Sequence, residues 1–359
     1  MMISPRISIG THLRIAYAYS KLQASFGFKV ARGVGLSSKK CISFFTKAYA
    51  RWMLDLSRKG MNPFADRIKA SDFVSVADIK YYVERNVADE AVQNSQWDWL
   101  DAEFAKIHSI LQEVHQGFIS VLDKKTKISL TFVWDDNESI TYQISKIQYR
   151  HLKTTYLGEE KNFNLYVLLM LTRYYACGTT NNHCSVPKEV IEFCGIDMEL
   201  FGSPLNTCLK HFCSPFYDIE QKFGSLGSFF DFEIETGVYL MNPPYDEELM
   251  IEAAKKVIKA LQSCNEIVIV AILPMWDISS QQTSGPVVCN KEFEALKMFE
   301  ASGFITSKAL LSHDKHKFYD YYSNKFVAVT NVHMLILSNT SNSLVAKIIA
   351  DYWLEVVGN

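Results

Sequence analysis

The stretch VYLMNPPYDEELM at residues 238–250 decides the fold of this chain. Its first four residues form an apolar run typical of a buried strand, and the two prolines end that strand because proline has no backbone N–H to donate. A helical pattern follows from about Glu247 to Gln262, and a second apolar run, Ile267 to Leu273, stands before Pro274. This order of strand, helix and strand indicates a parallel α/β sheet, whose ligands bind at the carboxyl ends of the strands.

The same alternation continues through the chain from about residue 190. Further strands are predicted at residues 198–201 and 332–337, and a further helix near residues 291–302. Polar loops follow the strands, and these loops are where chemistry is expected. We therefore assign residues 161–359 to one α/β domain.

Residues 55–160 follow a different pattern and are assigned to a mainly helical accessory domain. Apolar residues recur at helical spacing over residues 76–122. Two alternating runs over residues 128–144, with a turn at Asp135–Asn137, predict a β-hairpin. A strongly apolar helix is predicted at residues 163–177, at the start of the α/β domain.

The amino-terminal arm, residues 1–54, has nine basic residues and no acidic one, whereas the rest of the chain has 28 basic and 39 acidic residues. The body is therefore acidic by 11 charges, which excludes binding of nucleic acid through a general phosphate field. Contact with nucleic acid has to come from a local groove, from the arm, or from recognition of one nucleotide. The arm has three interpretations: an organelle transit peptide, a basic arm lying on RNA, or a helical extension packed on the body.

The composition excludes several classes of protein. Hydrophobic residues make up 48% and charged residues 21%, which is typical of a folded globular protein and excludes a disordered chain or a collagen. The apolar runs are far shorter than the ~18 residues of a membrane-spanning helix. The eight cysteines form no CxxC pair, and the cysteines and histidine within residues 177–194 fit no zinc template. We expect reduced thiols and no metal.

The tetrapeptide Asn242-Pro243-Pro244-Tyr245 gives the strongest chemical signal. The N6 amine of adenine is a poor nucleophile because its lone pair is delocalised into the ring, so a site that methylates it has to hold both amine hydrogens. The Asn242 side-chain carbonyl and a prolyl carbonyl are suitable acceptors, and the Tyr245 ring offers a stacking face for an extruded base. The alternative is that the prolines only end a strand and Tyr245 packs in the core.

Further motifs surround this tetrapeptide in a fixed order: Phe201-Gly-Ser-Pro-Leu-Asn206, Phe223-Gly-Ser-Leu-Gly227, Asp231-Phe232, Glu247-Glu-Leu-Met250 and Leu273-Pro-Met-Trp276. With this set, residues 163–340 resemble the catalytic domain of the phosphorylated-CTD-interacting-factor family. Its members are cap-specific adenosine N6-methyltransferases, which act on the 2′-O-methyladenosine next to the mRNA cap. In that family, similar motifs come in the same order at similar spacing.

The resemblance implies a Rossmann-like methyltransferase domain that binds S-adenosylmethionine, with a preceding helical domain, capped mRNA as substrate and the nucleus as location. A mitochondrion or another organelle is the alternative location if the arm is a transit peptide. The residues implied to bind the methyl donor are Ser203, Pro204, Asn206, Phe223, Gly224, Ser225 and Asp231. The residues implied to hold the adenine are Asn242, Pro243, Pro244 and Tyr245. Trp276 would line the base or cap pocket, or else pack in the core.

Some features depart from the pattern of this family. Tyr245 stands where the family has phenylalanine, an exchange that other adenine methyltransferases tolerate. A glycine-rich GxGxG loop is absent, as it is in the family. No pair of tryptophans, Trp97 and Trp99 included, has the spacing of a WW domain, so we expect neither that domain nor binding to the RNA polymerase II tail. Residues 313–325 are fewer than in the family, which leaves the range of substrates open.

Three functions are compatible with the sequence. The first is the cap-adjacent adenosine N6-methyltransferase, and the second is an adenine methyltransferase of DNA or internal RNA sites. The third is an inactive homologue that binds RNA or a partner, against which the intact tetrapeptide argues. Donor binding distinguishes the third from the others, and the choice of substrate distinguishes the first two.

Overall fold

The computed structural model describes residues 9–34, 37, 41–42, 44, 46, 48, 51, 76–84, 98–110, 115–177, 184–263, 265–275 and 292–358. It divides the chain into two compact units, Met1–Asn181 and Asn182–Asn359. The helix expected to open the α/β domain therefore lies in the first unit, and the division falls about twenty residues after the boundary expected at 160/161.

The described residues of the first unit form five α-helices and a three-stranded antiparallel sheet in the order β1-β2-β3. The helices of its described residues are α1 (Ile9–Val34), α2 (Val76–Glu84), α3 (Asp98–Ile110), α4 (Lys146–Thr155) and α5 (Phe163–Ala176). The strands are β1 (Gly117–Asp123), β2 (Lys127–Trp134) and β3 (Ser139–Ser145). The hairpin predicted over residues 128–144 is confirmed as β2 and β3, and its turn contains Asn137 with a positive φ of 65°.

Strand β1 corrects the prediction of helices over residues 76–122. Phe118, which fits the predicted helical spacing, lies opposite Val133 of β2 in an antiparallel ladder. The pattern was misleading because most of β1 is exposed on both faces, so its residues show neither the alternation of a half-buried strand nor a true helical period. Pairing with β2 decides the structure of this segment.

Helix α1, which holds most of the described part of the arm, is built into the first unit. Leu13, Ala16 and Tyr19, three residues apart, are buried. The Trp134 indole N–H donates to the Gly10 carbonyl at 3.0 Å, and Arg14 pairs with Asp136 at 2.5 Å. Apolar burial and ion pairs therefore both hold this basic helix to the first unit.

The second unit is built on a mixed five-stranded sheet in the order β5-β6-β7-β11-β8. These strands are β5 (Met198–Glu199), β6 (Gly237–Met241), β7 (Ile267–Pro274), β8 (Ile305–Leu311) and β11 (Val332–Ser338). A smaller antiparallel sheet joins β4 (Cys184–Ser185), β9 (Phe318–Asp320) and β10 (Lys325–Val327). The helices of its described residues are α6 (Lys188–Phe193), α7 (Tyr217–Glu220), α8 (Glu247–Leu261), α9 (Glu292–Ser302) and α10 (Ala346–Gly358).

The sheet is parallel only in part, which corrects the prediction of a parallel α/β sheet. Strands β5, β6 and β7 run parallel, but β11 lies between β7 and β8 and is antiparallel to both. The chain passes from β8 to β11 through β9 and β10 without a crossover helix, and a parallel pair needs such a crossover.

Strand β7 is the centre of the core and is buried along its whole length. Its residues alternate between two apolar layers, as expected for a strand covered on both faces. One layer includes Ile267, Ile269 and Ala271 together with Ala253 and Phe299 of α8 and α9. The other includes Val268, Val270 and Ile272 together with Trp353 of α10.

None of the helices formed by the described residues combines the length and the apolar character that crossing a bilayer requires.

Candidate active site

The loops after β5 and β6 begin side by side at one edge of the sheet. Glu199 lies opposite Leu240, and the Leu200 N–H donates to the Leu240 carbonyl at 2.8 Å. Strand β6 ends one residue later, at Met241, so the polar residues that follow each strand start at the same level. The parallel arrangement therefore brings the first predicted donor loop next to the tetrapeptide.

Two more extended segments continue this parallel arrangement beyond β5. Phe212 bridges Glu199, and Ser225 in turn bridges Phe212, both in the parallel sense. The Cys213 N–H donates to the Glu199 carbonyl at 2.9 Å, and the Leu226 N–H donates to the Phe212 carbonyl at 2.8 Å. The second predicted donor loop is thereby brought to the same edge of the sheet.

The loop after β5 is closed by the side chain of Asn206. Its Oδ1 accepts the Ser203 backbone N–H at 2.7 Å and the Ser203 hydroxyl at 3.0 Å. The Ser203 hydroxyl also accepts the Leu205 N–H at 3.2 Å. Ser203 and Pro204 are buried, Asn206 is half-buried, and its Nδ2 donates to no other residue that the structure describes. Hydrogen bonds within the loop hold this turn, and the Asn206 amide nitrogen stays uncommitted.

The second loop is held by its own side chains, which point into the protein. Phe223 is 3% exposed. The Ser225 hydroxyl bonds the hydroxyl of Ser214 at 2.6 Å and accepts the Gly227 N–H at 3.1 Å. Any contact of this loop with a ligand therefore comes from its backbone and not from the side chains of Phe223 and Ser225. Ser214, which the sequence motifs did not single out, is part of this arrangement.

Gly224 has a conformation that only glycine supports here. Its φ is 103°, and a Cβ at this position would lie 2.4 Å from the Lys210 carbonyl oxygen. We expect Gly224→Ala to lower the free energy of unfolding by roughly 2–4 kcal/mol, since left-handed strain adds to a clash with the backbone. Gly303 is the matched control, because its φ is 76° but nothing lies within 4 Å of its Cβ position.

We expect Gly303→Ala to cost only about 1 kcal/mol, the left-handed strain alone. Denaturant unfolding of both variants measures the difference. Equal losses for the two variants would show that the Lys210 carbonyl moves aside and that the second loop is not held as described.

Asp231 is exposed, and its backbone N–H donates to the Ser228 carbonyl at 3.0 Å. The charge beside it is Lys256 of α8, whose Nζ donates to the Phe230 carbonyl at 2.8 Å. Burial lowers the pKa of Lys256, and the nearby Cys213 and the carboxylates of Asp231 and Glu233 oppose that shift. The described contacts of Asp231 are therefore with helix α8 and a local turn, not with the loop after β5.

The tetrapeptide links the end of β6 to the start of α8. Asp246 caps this helix by accepting the Leu249 N–H at 3.1 Å, and its own N–H donates to the Pro244 carbonyl at 2.7 Å. The Pro243 carbonyl and the side chain of half-buried Asn242 make no hydrogen bond to any other described residue. Two acceptors at the end of β6 thus remain uncommitted, and the carbonyl available from the prolines is that of Pro243.

Tyr245 is partly buried and packs against both apolar layers of the second unit. Burial raises the pKa of its phenol above the usual range, and the neighbouring Cys184 contributes to the same shift. The ring therefore anchors the tetrapeptide to the core, which is the packing role considered as an alternative from the sequence. That role is compatible with one face of the ring meeting a base.

Trp276 lies outside the described residues, so its predicted role stays a prediction. The described part of the loop after β7 ends at Met275, whose N–H donates to the Asn331 carbonyl at 2.8 Å. In the described ranges, no group of three or more His, Cys, Asp or Glu side chains is placed to hold a metal ion.

The motifs did not single out Glu199, the most unusual polar residue near these loops. It is fully buried, although it lies within the apolar run at residues 198–201. A carboxylate inside a strand pattern was the available signal, because carboxylates are rarely buried without a specific reason.

Comparison with known proteins supports the family that the motifs indicate. The model of the phosphorylated CTD interacting factor 1 WW domain matches residues 146–321. A mouse protein named mRNA (2'-O-methyladenosine-N(6)-)-methyltransferase is 36% identical over 97 residues, and its human counterpart of the same name is 35% identical over 97 residues. Each match covers 26% of this chain and 14% of the relative, so the similarity spans only a small part of the curated proteins.

The family match contradicts the expectation that this chain has no WW domain, because the matching model carries that description. The expectation was based on the spacing of tryptophan pairs. The matched range extends from α4 to β9 and includes neither Trp97 nor Trp99, so the match does not depend on that pair.

Proposed function

We propose that this protein is an S-adenosylmethionine-dependent adenosine N6-methyltransferase that acts on the cap-adjacent 2′-O-methyladenosine of mRNA. One observation carries the proposal. The two uncommitted acceptors of Asn242 and Pro243 stand at the end of β6, beside the closed Ser203–Asn206 turn at the end of the parallel neighbour β5. The similarity to the two mammalian methyltransferases supports the same activity.

The arrangement of the second unit supports a Rossmann-like domain. Strands β5, β6 and β7 are parallel, two bridged segments extend them on one side, and α8 connects β6 to β7. Sheets of this kind bind their ligands at the carboxyl ends of the strands, and both loops and the tetrapeptide lie at these ends. We propose that the donor and the adenine meet at this edge.

The residues at this edge offer hydrogen-bonding groups to a methyl donor. The Asn206 amide nitrogen is an uncommitted donor, and the two loops present backbone groups at the ends of neighbouring segments. Ser203 and Pro204 shape the first loop, and Gly224 lets the second loop approach closely. When bound, the donor supplies an activated methyl group.

The tetrapeptide then holds the acceptor. The Asn242 Oδ1 accepts one hydrogen of the adenine amine and the Pro243 carbonyl accepts the other, which fixes the direction of the nitrogen lone pair. The prolines restrict φ, so these carbonyls lose little entropy on binding. Because the reaction needs little more than alignment, most of the rate enhancement comes from orientation.

The decisive experiment measures transfer of a labelled methyl group to three substrates of one sequence: capped RNA with 2′-O-methyladenosine first, the uncapped RNA, and DNA. We expect label on N6 of the cap-adjacent adenosine alone. Label on uncapped RNA or on DNA would show that the proposed substrate is wrong. No label on any of the three would indicate an inactive homologue.

Donor binding gives an independent prediction. We expect S-adenosylhomocysteine to raise the Tm, since a ligand at 100 times its Kd adds about 2.7 kcal/mol to the free energy of unfolding. Asn206→Ala opens the turn at Ser203 and should reduce this shift strongly. Asp231→Ala is the comparison: the described contacts of Asp231 predict a small effect, whereas the family resemblance predicts a large one. Thermal unfolding with and without ligand measures both.

A further inference from the structure

We propose that Glu199 is a positioning residue, whose protonated carboxyl holds the donor loop Gly202–Asn206 in place and releases it on ionisation. That the loop binds the methyl donor rests on the proposed function. The effect of the Glu199 carboxyl on the loop does not depend on it. Glu199 touches neither donor nor adenine, because it is fully buried.

The first observation is the position of the carboxyl between two elements. Its Oε1 accepts the hydroxyl of Ser185, on strand β4, at 2.8 Å. A Cβ added to Gly202, at the start of the donor loop, would lie 3.4 Å from Oε2, so the carboxyl lies close to this glycine. The carboxyl therefore connects the small sheet to the loop that closes on Asn206.

The second observation is that Oε2 makes no hydrogen bond of normal geometry to a residue that the structure describes, although the hydroxyl of Thr207 is close enough to stabilise the anion in part. An ionised carboxylate in a dry site needs donors for both oxygens, whereas a protonated one leaves a single hydroxyl to place. The surroundings therefore favour the neutral acid. Burial raises the pKa of Glu199 to about 7, and the hydroxyl groups of Ser185 and Thr207 oppose part of that rise.

The loop has little room to respond to a charge. A Cβ at Gly202 would lie 2.9 Å from the Cβ of Phe212, and the Gly202 N–H is already bonded to the Cys213 carbonyl at 2.9 Å. Water cannot reach the new anion while this packing is intact. Opening of the loop exposes Oε2 to solvent and so removes the desolvation cost of the ionised carboxylate.

Two other titratable groups face this site, and neither changes charge near neutral pH. Cys208 follows the loop, and burial raises the pKa of its thiol to about 11. Tyr321 follows β9, and burial raises the pKa of its phenol well above the usual range. On α6, the charge of Lys188 lowers the pKa of Cys208 in part, and the charge of Glu189 adds to the rise in the pKa of Tyr321. Glu199 is therefore the buried carboxyl of this site that changes charge near neutral pH; the side chain of His211, whose carbonyl accepts the Glu199 N–H at 3.4 Å, is exposed to solvent.

The sign of the effect follows from the two states. The carboxyl has a pKa of about 7 in the closed loop and 4.5, its ordinary value, once solvated. The closed loop is thus favoured fully below pH 4.5, and that contribution is lost as the pH rises through 7. Between pH 6 and pH 8.5, linkage of these two values increases the open fraction about tenfold.

Hydrogen exchange of the segment 200–209, without ligand, tests this. The readout is the exchange rate of the wild-type protein divided by that of Glu199→Gln at the same pH, which cancels the intrinsic pH dependence of exchange. We expect this ratio to rise about tenfold between pH 6 and pH 8.5. Glutamine keeps the acceptor for Ser185 but carries no charge. A constant ratio would mean that Glu199 only fills space, and would overturn the proposal.

Ser185→Ala provides a second, independent variant. Its hydroxyl stabilises the anion, so its removal should raise the pKa of Glu199 and move the rise in exchange to higher pH. A rise at unchanged pH would contradict the assignment of the titrating group.

S-adenosylhomocysteine binding separates this inference from the proposed function. Relative to Glu199→Gln, we expect the affinity of the wild-type protein to fall about tenfold over the same pH range. Binding that shows no relative change would overturn the link to the donor loop. Absence of binding to both proteins at every pH would overturn the proposed function, while the exchange result would still decide the role of Glu199.

Discussion

Replacement of Asn242 with alanine is expected to lower methyl transfer to adenosine by about two orders of magnitude or more. The variant loses one of the two acceptors that hold the adenine amine, and loss of a single preorganised polar contact has effects of this size in other enzymes. The side chain of Asn242 makes no hydrogen bond to another described residue, so the fold should be unaffected. Single-turnover methylation of capped RNA measures the effect on the chemical step.

Two controls make this result specific. Donor affinity should barely change, because the Ser203–Asn206 turn closes on itself and does not use Asn242. Asn265→Ala, on an exposed residue before β7, should leave turnover unchanged. Full methylation of capped adenosine by the Asn242→Ala protein would refute the assignment of the tetrapeptide as the catalytic site.

Tyr245→Ala is expected to have the second largest effect, acting on both activity and stability. Stacking on an aromatic ring contributes ~1–3 kcal/mol per base, so RNA binding should weaken by about 5- to 150-fold. The same ring packs against both apolar layers, and its truncation should also destabilise the second unit by roughly 2–4 kcal/mol. Binding is therefore measured well below the Tm of the variant.

Tyr245→Phe is the matched variant, because it keeps the ring and removes only the hydroxyl. We expect near wild-type turnover, as the resembling family carries phenylalanine at this position. Loss of activity in this variant would show that the hydroxyl takes part in the chemistry and that stacking does not explain the residue.

The local elements of the fold were predictable where one physical signal dominated. The apolar run before Asn242 and the amphipathic pattern after it indicated β6 and α8, and the alternating runs at residues 128–144 indicated the β2–β3 hairpin. Strand β1 was not predictable, because its exposed residues carry no period. Strand β11 is antiparallel to its neighbours because the connection from β8 contains no crossover helix, and the local sequence pattern of β11 does not indicate that direction.

The site was predictable as chemistry but not as geometry. The motifs indicated Asn242, but only the hydrogen bond from Asp246 to Pro244 shows which prolyl carbonyl stays available. Phe223 and Ser225 lie within the expected loop, yet their side chains point inward because packing and a serine pair hold them there. The hydrogen bond from Ser185 of β4 to the buried Glu199 joins residues 14 positions apart, and no sequence pattern indicated it.

The central position of β7 has a consequence for synthesis of the chain on the ribosome. One side of β7 can pair with β6 as soon as both have emerged, but its other side has to wait for β11, whose last residue is Ser338. Until then, eight consecutive buried residues form an open apolar sheet edge, the kind of surface that templates pairing between chains. Nascent chains that stall between residues 274 and 332 should therefore be the aggregation-prone species, and the ones that chaperones have to cover.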